Sequence, residues 1–179
     1  MGSRPSRCSG RRATFSLLIV GEVRRGKTRV TEGLVRALVH LGLGHAVTVL
    51  DFAPNYRGVG TPMSVEGARV LRPPRLYAPR LMGRRCDEVW RFAELNARET
   101  TALLNAYVRS PTPVLVINDL TIHLHAGDPG LLYEAISRAT LFIGNAYYGE
   151  ELRDECGLWR RERRLVEELM ERVDAVWRL

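Results

Sequence analysis

Residues 15–28 read FSLLIVGEVRRGKT, and this stretch decides the expected fold. Its first six residues are almost wholly apolar, as in a strand that a parallel sheet buries on both faces. Beyond Thr28, apolar residues recur at helical spacing, at Val30, Leu34, Val35, Leu38 and Leu41. Gly42 then ends the expected helix. A strand, a glycine-rich loop and a helix in this order predict an α/β domain.

The loop between this strand and this helix fits the phosphate-binding pattern G-x-x-x-x-G-K-[ST]. Its two glycines allow positive φ angles and a close approach of the backbone to a phosphate. Successive N–H groups of the loop and the helix start form a nest for an anion. Lys27 is expected to reach the terminal phosphates, and the Thr28 hydroxyl to bind Mg²⁺. The predicted nucleotide-binding residues are Gly21, Glu22, Val23, Arg24, Arg25, Gly26, Lys27, Thr28 and Arg29.

Lys27 is the only lysine of the chain, because 26 of its 27 cationic residues are arginines. Arginine is a planar fork, whereas lysine is a compact ammonium group on a thin stem. The retention of lysine at this one position indicates that the site requires the compact ammonium group. The heavy use of arginine and glutamate, without any glutamine, fits a source that grows hot or has a GC-rich genome.

Two further apolar stretches end in aspartates, Asp51 after AVTVL and Asp119 after PVLVIN. Parallel sheets place ligands at the carboxyl ends of their strands. Asp119 is therefore expected to hold Mg²⁺ together with Thr28. Asp51 is expected either to take part in catalysis, by orienting Mg²⁺ or a substrate group, or merely to cap a helix or loop. Lys27, Asp51 and Asp119 are the predicted catalytic residues. Because leucine follows Asp119, where many nucleotide-hydrolysing enzymes carry a water-activating glutamate, vigorous hydrolysis is not expected.

The chain of 179 residues has the size of one domain. Its pattern predicts an α/β three-layer sandwich with a mainly parallel sheet of about five strands over residues 15–179, preceded by a flexible basic tail at 1–14. Beyond the first helix, we expect helices at about 87–108, 130–138 and 160–173, and strands at 46–51, 68–71, 113–119, 140–144 and 174–179.

Residues 52–86 hold five of the nine prolines and seven arginines against one acid, Glu66. The segment is either an irregular solvated connection or a cationic flap over an anionic substrate or a triphosphate. If one of its arginines contacts phosphate, the sequence favours Arg57, which follows the strand that ends at Asp51.

Several polar and aromatic residues after Asp119 have two interpretations. His123 and His125 are either structural or a metal pair, and the structural role is favoured because only two ligands appear. Asn145 either senses a terminal phosphate or makes a turn after a strand, and the turn is favoured. Tyr147 and Tyr148 are expected to pack in the core or an interface rather than to stack on a ligand.

The net charge and the cysteines of the chain limit the classes of protein to which it can belong. The net charge of +7 leaves nucleic-acid binding open, although no aromatic interleaving accompanies the arginines. The three cysteines, Cys8, Cys86 and Cys156, are far apart and odd in number, so neither a zinc site nor a disulfide framework is expected. A reducing, cytoplasmic location is predicted, with no membrane span and no secretory signal.

The motifs GEVRRGKT, DFAP and VLVIND together resemble those of P-loop NTPases over residues 15–179. The order of features is similar to that of P-loop-type ATP:corrinoid adenosyltransferases, with Asp51-Phe52, Val114–Asp119, Ile143–Asn145 and Val173–Val176 in matching positions. The first resemblance implies the P-loop fold. The second implies binding of ATP and of a corrin-like ligand, transfer of the adenosyl group and release of triphosphate.

Three functions follow from these features. The first is a Mg²⁺- and ATP-dependent NTPase or transferase that acts on a small anionic substrate. The second is a nucleotide-dependent switch or partner-binding protein with weak hydrolysis, and the third is a nucleic-acid-binding NTPase. ATP is favoured over GTP, because the GTPase element Asn-Lys-x-Asp needs a second lysine that the chain lacks.

Overall fold

The computed structural model describes residues 14–179, so most of the predicted basic tail lies outside the described residues. The described chain forms one sheet of six parallel strands with helices packed against it. The strands are β1 Phe15–Gly21, β2 Val47–Asp51, β3 Arg69–Leu71, β4 Val114–Asn118, β5 Leu141–Tyr147 and β6 Ala175–Arg178. The helices are α1 Lys27–His40, α2 Pro79–Met82, α3 Cys86–Arg109, α4 Thr121–Leu124, α5 Pro129–Arg138 and α6 Leu158–Met170.

The strands lie in the order β3-β2-β4-β5-β1-β6. Strand β5 therefore separates β1, which leads into the glycine-rich loop, from β4, which ends beside Asp119. Since all strands run the same way, the carboxyl ends of β1, β5 and β4 open side by side at one edge of the sheet. The prediction of an α/β fold with a mainly parallel sheet is confirmed, with six strands instead of about five.

The alternation of side chains along β1 builds a core on each face of the sheet. Leu18 and Val20 belong to one cluster, which also takes residues from α3, α5 and α6. Ile19 belongs to the other cluster, which α1 covers through Val35. Successive side chains of a strand point to opposite faces, so a continuous apolar run can serve both cores.

Strand β5 differs from its prediction in length. It was expected at residues 140–144 with a turn at Asn145, but it continues through Asn145 to Tyr147. The Asn145 side chain is buried at 2% exposure. A polar side chain in this position suggests the end of a strand in the sequence. In the structure its hydrogen bonds to Thr31 of α1, to Asn118 of β4 and to the backbone N–H of Asp119 allow the burial.

The prediction about the cysteines is wrong, because the structure joins Cys86 and Cys156 in a disulfide. Cys86 is the first residue of α3, and Cys156 lies just before α6, where Trp90 donates a hydrogen bond to its carbonyl. The two cysteines are 70 residues apart, so only the packing of these two regions brings them together. The cytoplasmic prediction thereby loses the support that it took from the cysteines, although intracellular disulfides do occur in hyperthermophiles.

Within residues 14–179, none of the helices combines the length and the apolar character that crossing a bilayer requires.

Candidate functional site

A pocket of about 560 Å³ opens where β1, β4 and β5 end, beside the first turn of α1. This is the size of a site for one or two small organic ligands. One wall is the loop between β1 and α1, which we call the glycine loop (residues 22–26). The opposite walls come from residues 54–61, from the region of α2, and from the residues that follow β4 and β5.

The glycine loop contributes Val23, Arg24, Arg25 and Gly26 to this pocket, and α1 contributes Lys27, Thr28 and Arg29. Gly21 and Glu22, the other two predicted members, lie at the base of the loop. Their carbonyl oxygens accept hydrogen bonds from Lys27 Nζ, at 2.9 Å for Gly21 and 2.5 Å for Glu22. The Glu22 carboxylate turns away, to the backbone N–H groups of Glu150 and Glu151.

Lys27 is a partly buried cation at the head of α1. Burial lowers the pKa of its ammonium group, and the carboxylates of Asp119 and Glu22 oppose this effect. The two loop carbonyls that it contacts are neutral acceptors, which compensate its charge less well than an anion does. Lys27 can therefore bind a phosphate at the pocket without first breaking an ion pair.

The start of α1 presents unused backbone donors to the pocket. Gly26 precedes the helix with a φ of 84°, a left-handed conformation that suits glycine, and its position lacks a side-chain cap. Among residues 14–179, none accepts a hydrogen bond from the backbone N–H groups of Lys27, Thr28 and Arg29. These groups and the positive end of the helix dipole favour an anion at this position.

A buried network of amides and hydroxyls joins α1 to β4 and β5. Thr28 Oγ1 donates to Asn118 Oδ1 at 3.1 Å, and Asn145 Nδ2 donates to the same oxygen at 2.8 Å. Asn145 Nδ2 also lies 2.9 Å from Thr31 Oγ1, while Asn145 Oδ1 accepts from the backbone N–H of Asp119 at 2.8 Å. The side chain that contacts Thr28 is thus Asn118, the residue before the predicted one.

Asp119 itself lies just beyond β4, in the pocket wall. Its φ of 56° is left-handed, a conformation that aspartate and asparagine adopt more readily than most residues. Thr121 Oγ1 donates to its carboxylate at 3.1 Å. Burial raises the pKa of this carboxyl group, and Lys27 counteracts part of the rise.

The oxygen donors at this end of the pocket fit Mg²⁺. They are a hydroxyl of Thr28 and a carboxylate of Asp119, which are hard ligands of the kind that this ion takes. The amide oxygen of Asn118 is buried and accepts hydrogen bonds from Thr28 and Asn145. Mg²⁺ is usually held by one or two protein carboxylates and completes its shell with waters and substrate phosphates. In the described chain, no three His, Cys, Asp or Glu side chains come close enough together to hold a metal by themselves.

Asp51 does not line the pocket. Its carboxylate is fully buried and accepts hydrogen bonds from Arg72, from the backbone N–H of Met63 at 2.8 Å, and from Asn118 Nδ2 at 2.8 Å. Asp51 thereby fastens residues 63–72 to the end of β2. In this structure its carboxylate oxygens accept hydrogen bonds from the protein, including the backbone N–H of Ala53, which fits the alternative that Asp51 caps a loop.

The arginines of residues 52–86 do not converge on the pocket. Among the described residues that line it, Arg80 is the single arginine from this segment. Arg57, which the sequence favoured, lies over the ring of Tyr56, and Arg72 pairs with Asp51. Residues 54–61 nevertheless reach the pocket as a tight loop, in which Asn55, Arg57, Gly58 and Gly60 have positive φ values.

Arg80 belongs to a buried charged network that sequence analysis missed. Its guanidinium group binds both carboxylate oxygens of Glu162, at 3.0 and 2.9 Å. Glu162 also lies 2.5 Å from His125 Nε2. Burial alone would raise the pKa of Glu162, but the charges of Arg80 and His125 hold it below the usual value. These residues come from α2, α6 and the end of α4, so no sequence spacing points to the contact.

In each of the two pairs, His123/His125 and Tyr147/Tyr148, one residue lines the pocket and the other does not. His123 is buried away from the pocket, between Thr100 Oγ1 at 2.8 Å and the carbonyl of Asp128 at 3.0 Å, whereas His125 is in the pocket wall. Tyr147 also lines the pocket, with the cations of Lys27 and Arg80 over its ring at 6.0 and 5.3 Å. Tyr148 packs outside it, under Arg163.

The pocket therefore brings together unused backbone donors and a partly buried ammonium group at the head of α1, oxygen atoms of Thr28 and Asp119, and side chains of the buried network of Arg80, Glu162 and His125. No protein-family model matches this chain, and no curated protein matches it either.

Proposed function

We propose that this protein is a P-loop nucleotide-binding protein that binds Mg²⁺ and ATP in the pocket and transfers or hydrolyses part of the triphosphate. The observation that carries the proposal is the head of α1. There, Lys27 and three backbone N–H groups that find no acceptor among residues 14–179 lie at one pocket with the oxygens of Thr28 and Asp119, and the buried Asn118 accepts a hydrogen bond from Thr28.

Each of these groups has a role in binding. The N–H groups of residues 26–29 cradle the phosphate oxygens, and Lys27 exchanges its loop carbonyls for the β- and γ-phosphates. Thr28 and Asp119 would hold the Mg²⁺ shell, and Asn118 positions Thr28 by accepting its hydrogen bond. When bound, Mg²⁺ neutralises charge on the β- and γ-phosphates during transfer.

The position of Asn118 changes the argument about hydrolysis. The sequence prediction of weak hydrolysis assumed that Asp119 is the residue paired with Thr28, with leucine after it. The contact from Thr28 goes instead to Asn118, so Asp119 is the carboxylate one residue further along. In that position Asp119 can orient an attacking water or hydroxyl group as well as the metal shell.

The test compares two variants that each remove one positive charge from α1. Lys27→Ala deletes the ammonium group in the pocket, whereas Arg36→Ala deletes an exposed guanidinium group that pairs at 4.0 Å with Glu32. We expect ATP with Mg²⁺ to stabilise the wild type and Arg36→Ala equally, by about 2.7 kcal/mol at a hundredfold excess over Kd.

Lys27→Ala is expected to lose most of this stabilisation in a thermal-shift titration. Unfolding of each variant without nucleotide separates a binding defect from a folding defect. If Lys27→Ala gained as much as the wild type, the proposal would be refuted. Product analysis then distinguishes the chemistries, because phosphate transfer or hydrolysis leaves ADP, whereas the adenosyl transfer implied by the resemblance leaves triphosphate.

A second candidate function is a nucleotide-dependent switch. It is favoured by the two hydrogen-bonding ends of Asn118. Its Oδ1 accepts from Thr28, while its Nδ2 donates to Asp51 and to the carbonyl of Thr61 at 3.1 Å. A ligand that moves Thr28 therefore acts on the residue that holds the tight loop at 54–61.

Amide hydrogen exchange tests the switch. Mg²⁺ with ATP is expected to change amide exchange at residues 54–61. Inorganic phosphate, at a hundredfold higher concentration than the ATP, is expected to change it less. Unchanged exchange at 54–61 in a nucleotide-saturated sample would exclude the switch and leave ATP binding intact.

A further inference from the structure

We propose that the disulfide between Cys86 and Cys156 is a redox site through which a dithiol reductant loosens the pocket wall and weakens nucleotide binding. The effect on the nucleotide rests on the proposed function. The reactivity of the disulfide and the loosening of the wall rest on the disulfide and its surroundings alone.

The disulfide lies where a reductant can reach it. Cys86 is exposed and Cys156 is half-buried. The bond stands outside the two main cores, beside the small cluster of Val89, Ala93 and Leu158. Exposed disulfides exchange with thiols more readily than those sealed in a core, and they are the ones that serve regulation. The position of this bond therefore suits exchange.

The exchange requires only a dithiol as co-reactant. A thiolate of the dithiol attacks one sulfur of the disulfide, forms a mixed disulfide, and releases the other cysteine as a thiolate that takes up a proton. The second thiol of the reductant then attacks the mixed disulfide and releases the second cysteine. In total, the protein gains two electrons and two protons, while the dithiol loses them and becomes a disulfide.

The disulfide joins two segments that both line the pocket. Cys86 begins α3, just beyond the end of α2, and residues 78–81 of that region lie in the pocket wall. Cys156 lies near the end of the segment between β5 and α6, which we call the β5–α6 segment (residues 148–157). This segment places Leu152 in the same wall. The bond therefore ties one part of the pocket wall to another.

The β5–α6 segment also supports the glycine loop. The backbone N–H groups of Glu150 and Glu151 donate to the Glu22 carboxylate, the second of them at 3.2 Å. The carbonyl of Glu22 in turn accepts a hydrogen bond from Lys27 Nζ. A movement of the β5–α6 segment thus reaches the cation that is expected to bind phosphate.

Polar contacts at the surface, rather than a buried core, hold the β5–α6 segment in place. None of residues 148–157 is fully buried. Trp159 donates to the carbonyl of Gly149 at 2.9 Å, and Trp90 donates to the carbonyl of Cys156 at 3.0 Å. Segments with little buried apolar surface open locally at low cost in free energy. Reduction removes the covalent link to α3 and is therefore expected to loosen this segment.

The rest of this region has its own support. The buried ion pair of Arg80 and Glu162 holds α2 to α6 without the disulfide. We therefore expect reduction to act locally on the β5–α6 segment and to leave the fold intact.

A purely structural cross-link is the alternative, and it predicts a different result. Such a bond stabilises the folded chain mainly by restricting the unfolded chain. Its loss lowers the melting temperature but leaves the pocket of the folded protein, and its affinity for ligands, unchanged. Local motion and affinity, measured well below the melting temperatures of both redox forms, separate the two roles.

The experiment compares the oxidised full chain with the chain reduced by dithiothreitol. Alkylation of free thiols and mass spectrometry give the redox state of each cysteine, and amide hydrogen exchange without nucleotide reports on the wall. We expect reduction of the folded protein at Cys86 and Cys156, with exchange at residues 148–157 faster by about tenfold. The Kd for ATP with Mg²⁺ is expected to rise by about fivefold, and reoxidation by oxidised glutathione should restore both values.

Two cysteine variants complete the comparison. Cys86→Ser lacks the disulfide and is expected to behave as the reduced wild type does, with no response to dithiothreitol. Cys8→Ser removes the third cysteine of the chain, keeps the disulfide and is expected to respond as the wild type does. If Cys86→Ser fails to fold, the reversible change in the wild type and in Cys8→Ser decides.

Three results overturn the proposal. They are a disulfide that dithiothreitol does not open in the folded protein, equal exchange at residues 148–157 in the two redox forms, and equal ATP affinity in the two forms. If ATP binds neither form, the proposed function fails, while the thiol counts and the exchange rates still decide whether reduction loosens the wall.

Discussion

At the residue scale, two neighbours at the end of β4 have separate tasks. Asn118 is fully buried, and its amide group contacts Thr28, Asp51 and Asn145. Asp119 is turned by its positive φ into the pocket. An amide serves at the first position because it both donates and accepts, whereas a carboxylate there would meet the Asp51 carboxylate at hydrogen-bonding distance.

The first prediction concerns Asp119. Because burial raises the pKa of its carboxyl group, the charge itself costs stability, and Asp119→Asn removes that cost. Asparagine also keeps the left-handed backbone, so we expect Asp119→Asn to be more stable than Asp119→Ala by about 1 kcal/mol in urea unfolding.

Both Asp119 variants are expected to lose the Mg²⁺-dependent part of ATP binding, measured by titration with and without the metal. A wild type more stable than Asp119→Asn would show that the carboxylate stabilises the nucleotide-free protein. An unchanged Mg²⁺ dependence would remove Asp119 from the metal shell.

The second prediction concerns the pH dependence of stability through Glu162. Its pKa in the folded protein lies below the usual 4.5, so its contribution is fully present above that pH and is lost as the pH falls through the lower folded value. Glu162→Gln leaves Arg80 buried without a counter-charge, which we expect to cost about 3 kcal/mol at pH 7.

Urea unfolding of Glu162→Gln and of the wild type at several pH values measures this effect. The difference between the two proteins should be constant from pH 6 to 8 and should shrink below about pH 4.5. Glu168→Gln on the same helix, whose partner Arg164 is exposed, is the control and is expected to change stability by less than about 1 kcal/mol. A difference that grows on acidification would contradict the assignment.

At the scale of elements, the loop at 54–61 is held by contacts rather than by regular structure. Asn55 and Tyr56 make backbone hydrogen bonds to Gly60 and Val59, and Asn118 holds the carbonyl of Thr61. Left-handed residues cluster here, in a segment that reaches the pocket. Such conformations persist when surrounding contacts over-determine them, and they are frequent beside binding sites.

The third prediction compares two glycine-to-alanine changes. At Gly60 the φ is 67°, and an added Cβ would collide with the ring of Pro54, so Gly60→Ala is expected to displace the loop and to cost at least 1 kcal/mol. At Gly33, inside α1, a Cβ meets no atom within 4 Å among the described residues. Gly33→Ala is therefore expected to stabilise the protein by about 0.5–1 kcal/mol.

Thermal unfolding and ATP titration of both variants check this comparison. Gly60→Ala should also weaken ATP binding, because the loop lines the pocket, whereas Gly33→Ala should not. Equal effects of the two substitutions on binding would show that the loop has no part in the site.

At the scale of the whole molecule, the sheet order decides which strand ends meet, and the disulfide links two regions that packing has brought together. Strand β5 lies between β1 and β4, so Asn145 can reach from the middle of the sheet to both Thr31 and Asn118. The disulfide joins the start of α3 to the residues before α6, next to a cluster of Val89, Ala93 and Leu158.

The fourth prediction is that this disulfide contributes substantially to stability. It closes a loop with a sequence separation of 70 residues, for which chain entropy predicts about 4 kcal/mol. Cys86→Ser is expected to lower the melting temperature, and a reducing agent should lower that of the wild type similarly without further effect on the variant. Equal melting temperatures for the oxidised wild type and Cys86→Ser would contradict the prediction.

Local pattern was sufficient for the long helices and the central strands, although it missed the short helices α2 and α4 and the end of β5. The apolar runs ending at Gly21, Asp51 and Asn118 became buried parallel strands, and the apolar spacing after Thr28 became α1. The reason is that strand and helix periodicities are properties of adjacent residues. The loop between β1 and α1 could be recognised from sequence for the same reason, because its glycines, lysine and threonine stand within eight positions.

The sequence by itself thus determined an α/β chain with a glycine-rich loop between its first strand and first helix. Only the tertiary structure decided that Asn118 rather than Asp119 contacts Thr28, that Asp51 binds Arg72, and that Cys86 bonds to Cys156. Tertiary packing also brought His125, Glu162 and Arg80 together, from positions 37 and 82 residues apart. Contacts of this kind depend on how the elements pack, and the spacing of residues along a chain carries no record of that packing.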